Sequence, residues 1–207
     1  MIEPDHRPGT PAEALAELLA GNHRFVTGGR LHPHQDAERR AALAEAQRPF
    51  AVVFGCSDSR LAAEIIFDRG LGDLFVVRTA GHIVGPEVLA SIEYGVTVLG
   101  APLVVVLGHD SCGAIRATYD AMTGNPPPAP GLSAIIDRVT PSLRAAHAQR
   151  ITDLDEAASV HVRRTIDQIT QHTTLAEAVA TGQCAAVGMT YRLADGHVTV
   201  IASVTVL

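Results

Sequence analysis

Tryptophan is absent from this 207-residue sequence, and all aromatic residues together make up only 4% of it. The core must therefore be built mainly from Ala, Val, Leu and Ile, within an apolar content of 47%. That content excludes a disordered chain, and the length fits a single domain with a full core. Basic charge is also in short supply: 16 Lys and Arg stand against 22 Asp and Glu, a formal charge of −6. With no basic cluster to offset this balance, the surface suits neither nucleic acid nor an anionic membrane. No apolar run approaches the length that spans a bilayer, and the opening "MIEPDHRPGTPAEAL" has no stretch suited to export. Three cysteines, Cys56, Cys112 and Cys184, are too few for a disulfide framework. They read as core residues, ligands or reactive thiols of a reducing compartment, so the expected location is cytoplasmic.

What the chain does contain is a change of period. "TPAEALAELLAGNHRFVTGG" (10–29) has a Thr cap, a Pro at the first helical position and a closing pair of glycines, the marks of an amphipathic helix. A second helix is expected over roughly 36–46. Three short Val-rich runs follow, at 49–55, 74–80 and 102–110, of the kind that forms central parallel strands covered on both faces. Helical segments at 60–70, 86–100 and 113–124 alternate with them, which is the α/β pattern. "NPPPAPG" (125–131) breaks the helical pattern, and 132–180 resumes it. Two last runs, 184–193 and 197–206, are joined by "ADGH" and predict an antiparallel hairpin on the sheet edge. The expectation is an α/β fold, a mainly parallel sheet flanked by helices. It has a helical arm over 1–48 and an α/β body over 49–207, closed by a C-terminal antiparallel edge strand.

Polar residues gather where such a fold would place a site. Cys56 follows the run "AVVFG", and "HDSC" (109–112) follows "VVVLG". In a parallel sheet the functional crevice lies at the carboxyl ends of the strands, so Cys56, His109 and Cys112 reach one edge together. The His-x-x-Cys spacing lets both side chains turn toward one ion. Two thiolates and an imidazole form a zinc donor set, and three protein donors leave a position open, as in catalytic sites. Away from that placement, the same residues would read as buried free cysteines and a satisfied core histidine. Cys184 begins a separate apolar run and is assigned to the core.

A zinc ion with two thiolates is a net-neutral centre, which withdraws less electron density than one held by neutral imidazoles. It needs other help to hold and aim a hydroxide. Asp58 could accept the hydroxide hydrogen, with Arg60 clamping Asp58 through a bidentate contact. The alternative is a solvated ion pair near a helix start. A thiolate–imidazolium nucleophile built from the same cysteines is a further alternative. The spacing Cys-x-x-x-Arg also suggests a phosphate loop, but the glycines are missing and Asp58 would repel a phosphate.

"CSDSR" (56–60) followed by "GHDSCGA" (108–114), with "VVRTAGH" (76–82) and "SIEYGV" (91–96) between them, closely resembles the β-class carbonic anhydrases. The likeness covers most of the chain and is weakest at the N-terminus and the proline-rich loop. It implies reversible hydration of CO2 to bicarbonate and a proton by zinc-bound hydroxide. One Zn2+ per subunit would be held by Cys56, His109 and Cys112, with Asp58 and Arg60 as the catalytic dyad. It implies a substrate pocket lined by Gln47, Phe75 and Tyr94, partly supplied across a dimer interface, in a homodimer or a homotetramer. The N-terminal helix would pack on the partner. Phe75 and Tyr94 would give CO2 a dry wall and Gln47 a hydrogen bond, although taken singly each equally suits a core or surface position.

Gly81 and Gly113 are expected to allow close backbone approach at the pocket, or to serve as turn and helix-start residues. Some members of the family bind inhibitory bicarbonate beside a Trp three residues before the first zinc cysteine. Val53 stands at that position here, and Arg78 alone does not define such a pocket, so the open site with water as fourth ligand is favoured over the alternative, a closed form in which Asp58 leaves Arg60 and binds zinc. His82 offers itself as a proton carrier, or as a cap or solvent-facing residue. Asp110 and Ser111 read as loop hydrogen-bonding residues. Two rival functions are a zinc hydrolase acting on CS2 or a similar molecule, and a zinc-stabilised scaffold. The presence of both Asp58 and Arg60 counts against the scaffold.

Overall fold

The computed structural model describes residues 7–125, 127 and 129–204. The first six residues, two prolines of the 125–131 loop and the end of the last apolar run lie outside them. Five strands form one sheet: β1 (Ala51–Cys56), β2 (Leu74–Thr79), β3 (Leu103–His109), β4 (Ala185–Tyr191) and β5 (Val198–Val204). Their order is β2-β1-β3-β4-β5, with β2, β1, β3 and β4 parallel and β5 antiparallel at the edge, as expected. Around the sheet run α1 (Pro11–Thr27), α2 (Ala37–Ala42), α3 (Ala63–Ile66), α4 (Pro86–Thr97), α5 (Gly113–Met122), α6 (Ser133–Ala148), α7 (Leu154–Thr170) and α8 (Thr173–Ala180). None of the described helices is long and apolar enough to cross a membrane.

Every residue of β1 and β3 is buried, which explains why both read as continuous apolar runs. Pleating sends Val53, Val105 and Val187 to one face, where they meet Leu18, Phe67, Ile115 and Val139 from helices and the α3 turn. Val52, Phe54, Val104 and Val106 face the opposite layer, against Ile92, Ile166 and Leu175. The N-terminal helix has the expected Thr10 cap, which Glu13 completes to a capping box, and its Ala14 and Leu18 sit in the first of these cores. Cys184 is buried, as expected, and burial pushes its thiol up to about 12. Helix α7 lies close on the sheet. A Cβ added at Gly108 would meet Val162 Cγ2 at 2.4 Å, and one at Gly188 would meet Val162 Cγ1 at 2.8 Å.

Three expected elements differ in extent. The helix anticipated over 60–70 shrinks to α3, because Asp68 takes φ 47° and its carboxylate accepts from the Leu31 and His32 amides and pairs with Arg24 at 2.7 Å. The helix over roughly 36–46 is six residues long, capped by Asp36. The hairpin turn is wider than "ADGH": residues 192–197 link β4 to β5, closed by the Gly196 amide on the Arg192 carbonyl at 2.8 Å.

Candidate metal centre

Cys56 is the last residue of β1, and His109 is the last of the neighbouring β3. After His109 the chain turns through Ser111, at φ 50°, and Cys112 becomes the N-cap of α5. The sequence expectation that two strand ends converge is therefore met. The His nitrogen and both sulfurs lie within 4.8 Å of one another, all three residues are buried, and no other such group occurs among the described residues.

Hydrogen bonding prepares these atoms as donors. His109 Nδ1 donates to the Asp110 carbonyl at 2.7 Å, which leaves Nε2 as the bare acceptor, and that buried nitrogen has no protein partner. The two sulfurs lie close enough to influence each other's ionisation. Their mutual hydrogen bond outweighs burial and draws the Cys56 thiol down to about 4, while the same bond and burial push Cys112 up. A buried, unpartnered imidazole nitrogen beside two cysteine sulfurs fits a zinc ion.

Asp58 and Arg60 form the predicted clamp. Arg60 Nε and Nη2 donate to the two Asp58 oxygens at 2.9 and 2.7 Å, and the Arg60 amide adds a third bond at 2.9 Å. These bonds hold the Asp58 carboxyl well below the usual range, and its Oδ2 lies 4.0 Å from His109 Nε2. Four further residues support the site through hydrogen bonds, and two of them, Arg78 and Asp155, escaped sequence reasoning. Arg78 donates to the carbonyls of Cys56 and Asp58 at 2.9 and 2.5 Å, fixing the turn that carries them. Asp155, in the first turn of α7, accepts from the Ser111 amide at 2.7 Å. The Asp110 carboxylate accepts from the Leu193 amide at 2.9 Å, so Asp110 and Ser111 do serve the loop's hydrogen bonds. The Gly81 amide donates to Cys56 Sγ at 3.3 Å.

Gly81 meets its expectation of close approach: it takes φ 69°, and a Cβ there would lie 2.6 Å from Ala114 Cβ. Gly113 differs, since a Cβ at that position meets nothing within 4 Å, and it is a helix-start residue bordering a cleft of about 530 Å3 beside Cys112. His82 also departs from expectation. It is 1% exposed, neither ring nitrogen has a protein partner, and burial drives its pKa well below the ordinary value. A dry, neutral imidazole is neither a cap nor a solvent-facing proton carrier.

Gln47, Phe75 and Tyr94 are not brought to the triad within one chain. Phe75 pairs with Val52, four residues before Cys56, about 13 Å along the strand. Its ring lies 6.1 Å from that of Tyr94, and Tyr94 and Gln47 border a common cleft of about 610 Å3.

Comparison with known proteins agrees with this geometry. The family model described as carbonic anhydrase matches residues 51–198, from the start of β1 to the start of β5. A carbonic anhydrase of Mycolicibacterium smegmatis is 53% identical over 189 residues, 91% of this chain and 92% of that protein. Carbonic anhydrase 2 of Mycobacterium tuberculosis is 48% identical over 188 residues, 90% of this chain and 91% of that protein. Among solved structures, the β-carbonic anhydrase CafA of Aspergillus fumigatus superposes with a TM-score of 0.71 at 26% identity, over 92% of this chain and 89% of that one. The match begins where the sheet begins and takes in both strand ends that carry the donors: this chain belongs to the carbonic anhydrase family, in its β class.

Proposed function

We infer that the chain catalyses the reversible hydration of CO2 to bicarbonate and a proton, at one Zn2+ per subunit held by Cys56, His109 and Cys112. The observation that carries this reading is an Arg-clamped carboxylate 4.0 Å from the unpartnered nitrogen of a Cys/His/Cys cluster. When bound, the ion supplies Lewis acidity, which makes water a nucleophile at neutral pH. The chain's own residues do the positioning. Asp58 stays ionised beside Arg60 and can only accept hydrogens. It would accept a hydrogen bond from a nucleophile that still carries one hydrogen, which directs a lone pair at the carbon of CO2. Arg60 prevents the carboxylate from rotating away, and Arg78 holds the backbone beneath it. CO2 and water become bicarbonate, and the released proton passes to buffer. Stopped-flow CO2 hydration on zinc-quantified protein tests this directly. Full zinc content without hydration would overturn the assignment.

Gln47, Phe75 and Tyr94 enter this scheme through a second copy, in a homodimer or a tetramer of paired dimers, with residues 1–48 as an arm contributing to the contact. Support comes from their separation from the triad within one chain and from the 45% exposure of Tyr94. Tyr94→Ala is expected to retain zinc and lose hydration activity. A composite site gives a sharper result. Mixed Tyr94→Ala and Asp58→Ala subunits, exchanged and reassociated, regain activity above the sum of the two, because each mixed dimer rebuilds one intact site. Simple addition of the two activities would exclude a shared site. Three free, buried cysteines suit a reducing compartment, and we assign the chain to the cytoplasm.

A further inference from the structure

His161 sits on α7, a helix that supplies no metal donor, yet its ring is joined by hydrogen bonds to a donor sulfur. Nε2 lies 2.9 Å from the Gly81 carbonyl oxygen, and Nδ1 lies 2.8 Å from Ser142 Oγ. A carbonyl only accepts, so Nε2 carries the hydrogen. In a neutral ring Nδ1 is then the acceptor, and the Ser142 hydroxyl donates to it. Burial keeps the ring neutral, and both residues are under 5% exposed. One tautomer is thereby selected, by a hydroxyl on α6 and a carbonyl beside the metal centre.

Gly81 is held on both sides of its Cα. Its carbonyl is bonded to His161, and its amide is bonded to Cys56 Sγ at 3.3 Å. The segment needs holding: Gly81 takes φ 69°, and the next residue, His82, takes φ 38°, uncommon for a side-chain-bearing residue. His82 itself adds no hydrogen bond to a protein group. Its ring is fixed by packing, 4.4 Å from the His161 ring and 6.3 Å from that of Phe54. His161 is thus the side chain that ties the Gly81 carbonyl to the helix layer.

We propose that His161, oriented by Ser142, is a positioning residue of the metal centre: it fixes Gly81 so that the Gly81 amide stays on Cys56 Sγ, and in doing so sets how tightly zinc is held. The proposal rests on the reading of Cys56 as a zinc donor. An N–H directed at a thiolate stabilises its charge and restricts its orientation. Without His161 the buried Gly81 carbonyl loses its partner, the turn relaxes, and the amide leaves the sulfur. Direct hydrogen-bond partners of metal ligands typically contribute 10–100-fold in affinity, and the Gly81 amide that His161 holds is such a partner of Cys56.

The test uses the full chain and zinc itself, with affinity measured by chelator competition. His161→Phe keeps a planar ring and removes both bonds. His161→Gln retains an N–H for Gly81 and an acceptor for Ser142. The expected result is a loss of about 10–100-fold in zinc affinity for His161→Phe, substantial recovery in His161→Gln, and an intermediate value for Ser142→Ala. The sulfur-to-metal absorption of the Co2+-loaded protein should shift in His161→Phe and return in His161→Gln. The unfolding midpoint of each metal-free protein is measured alongside. If His161→Phe lowers that midpoint while zinc affinity and the Co2+ spectrum match the parent, His161 only fills space and the proposal fails. If His161→Phe does not fold, Ser142→Ala decides, and unchanged zinc affinity there is equally fatal. A parent that binds zinc no better than Cys56→Ser refutes the metal-site reading instead, so the two failures are distinct.

Discussion

Cys112→Ser is expected to lose zinc and CO2 hydration together. Cys112 is one of three donors, and it stands at the N-cap of α5 with no side-chain capping bond to lose. A serine hydroxyl is hard and stays protonated at neutral pH, so it replaces neither the charge nor the softness of a thiolate. If structural zinc binding of about 10–16 kcal/mol is divided over three donors, one donor carries several kcal/mol, on the order of 10²–10³-fold in affinity or more. Zinc content after dialysis, read beside stopped-flow hydration, measures both losses. Stoichiometric zinc in an active Cys112→Ser protein would remove Cys112 from the donor set. Cys184→Ser is the matching control: its sulfur lies in the core beneath β4, so stability falls while zinc content does not.

Asp58→Ala should separate what the first substitution joins. Asp58 is paired with Arg60 through both oxygens and is not one of the clustered donors, so zinc is expected to remain. Hydration should fall by about 10²-fold, the loss typical when a reacting group is no longer held in line with its target. Stability should barely change, because half-exposed ion pairs such as Asp58–Arg60 contribute little to it. Zinc-loaded Asp58→Ala protein with near-parental turnover would reduce Asp58 to a surface ion pair. Loss of zinc from this variant would make it a structural support of the site instead.

The residues that sequence reasoning recovered share a property: their chemistry is visible over a few positions. Val-rich runs mark β1 and β3 because both faces of each are covered, and a Cys or a His at the end of such a run stands out. Asp58 and Arg60 lie within four residues of Cys56, so their pairing is also a local matter. Elsewhere the decisive contact is distant in sequence. The 60–70 segment has helical composition, but Asp68 is captured by the amides of Leu31 and His32, and that bond defeats local preference. Arg78, Asp155 and His161 reach the site from other elements, and no spacing rule links residue 161 to residue 81. His82 was misread for a related reason, since a histidine near a strand end carries no signal of the Phe54 and His161 rings that enclose it. At Gly113 the sequence allows two readings, close approach and helix start, and the open space around it selects the second.

Helix α7 acts as a ruler for the whole centre. Asp155 in its first turn fixes the loop between His109 and Cys112, and His161, six residues later, fixes the turn that faces Cys56. Between those two attachments the helix advances about 9 Å. Val162 locks the scale in place against Gly108 and Gly188, where no side chain could be tolerated. Inserting or deleting one residue between 155 and 161 would shift one mark by about 1.5 Å and turn it by about 100° relative to the other. Either attachment could then be kept only by giving up the other. A stretch of helix without a single metal donor is thus intolerant of any change in length, and Ala157, Ala158 and Val160 between its two fixed points are buried in the core, so their size is constrained as well as their number.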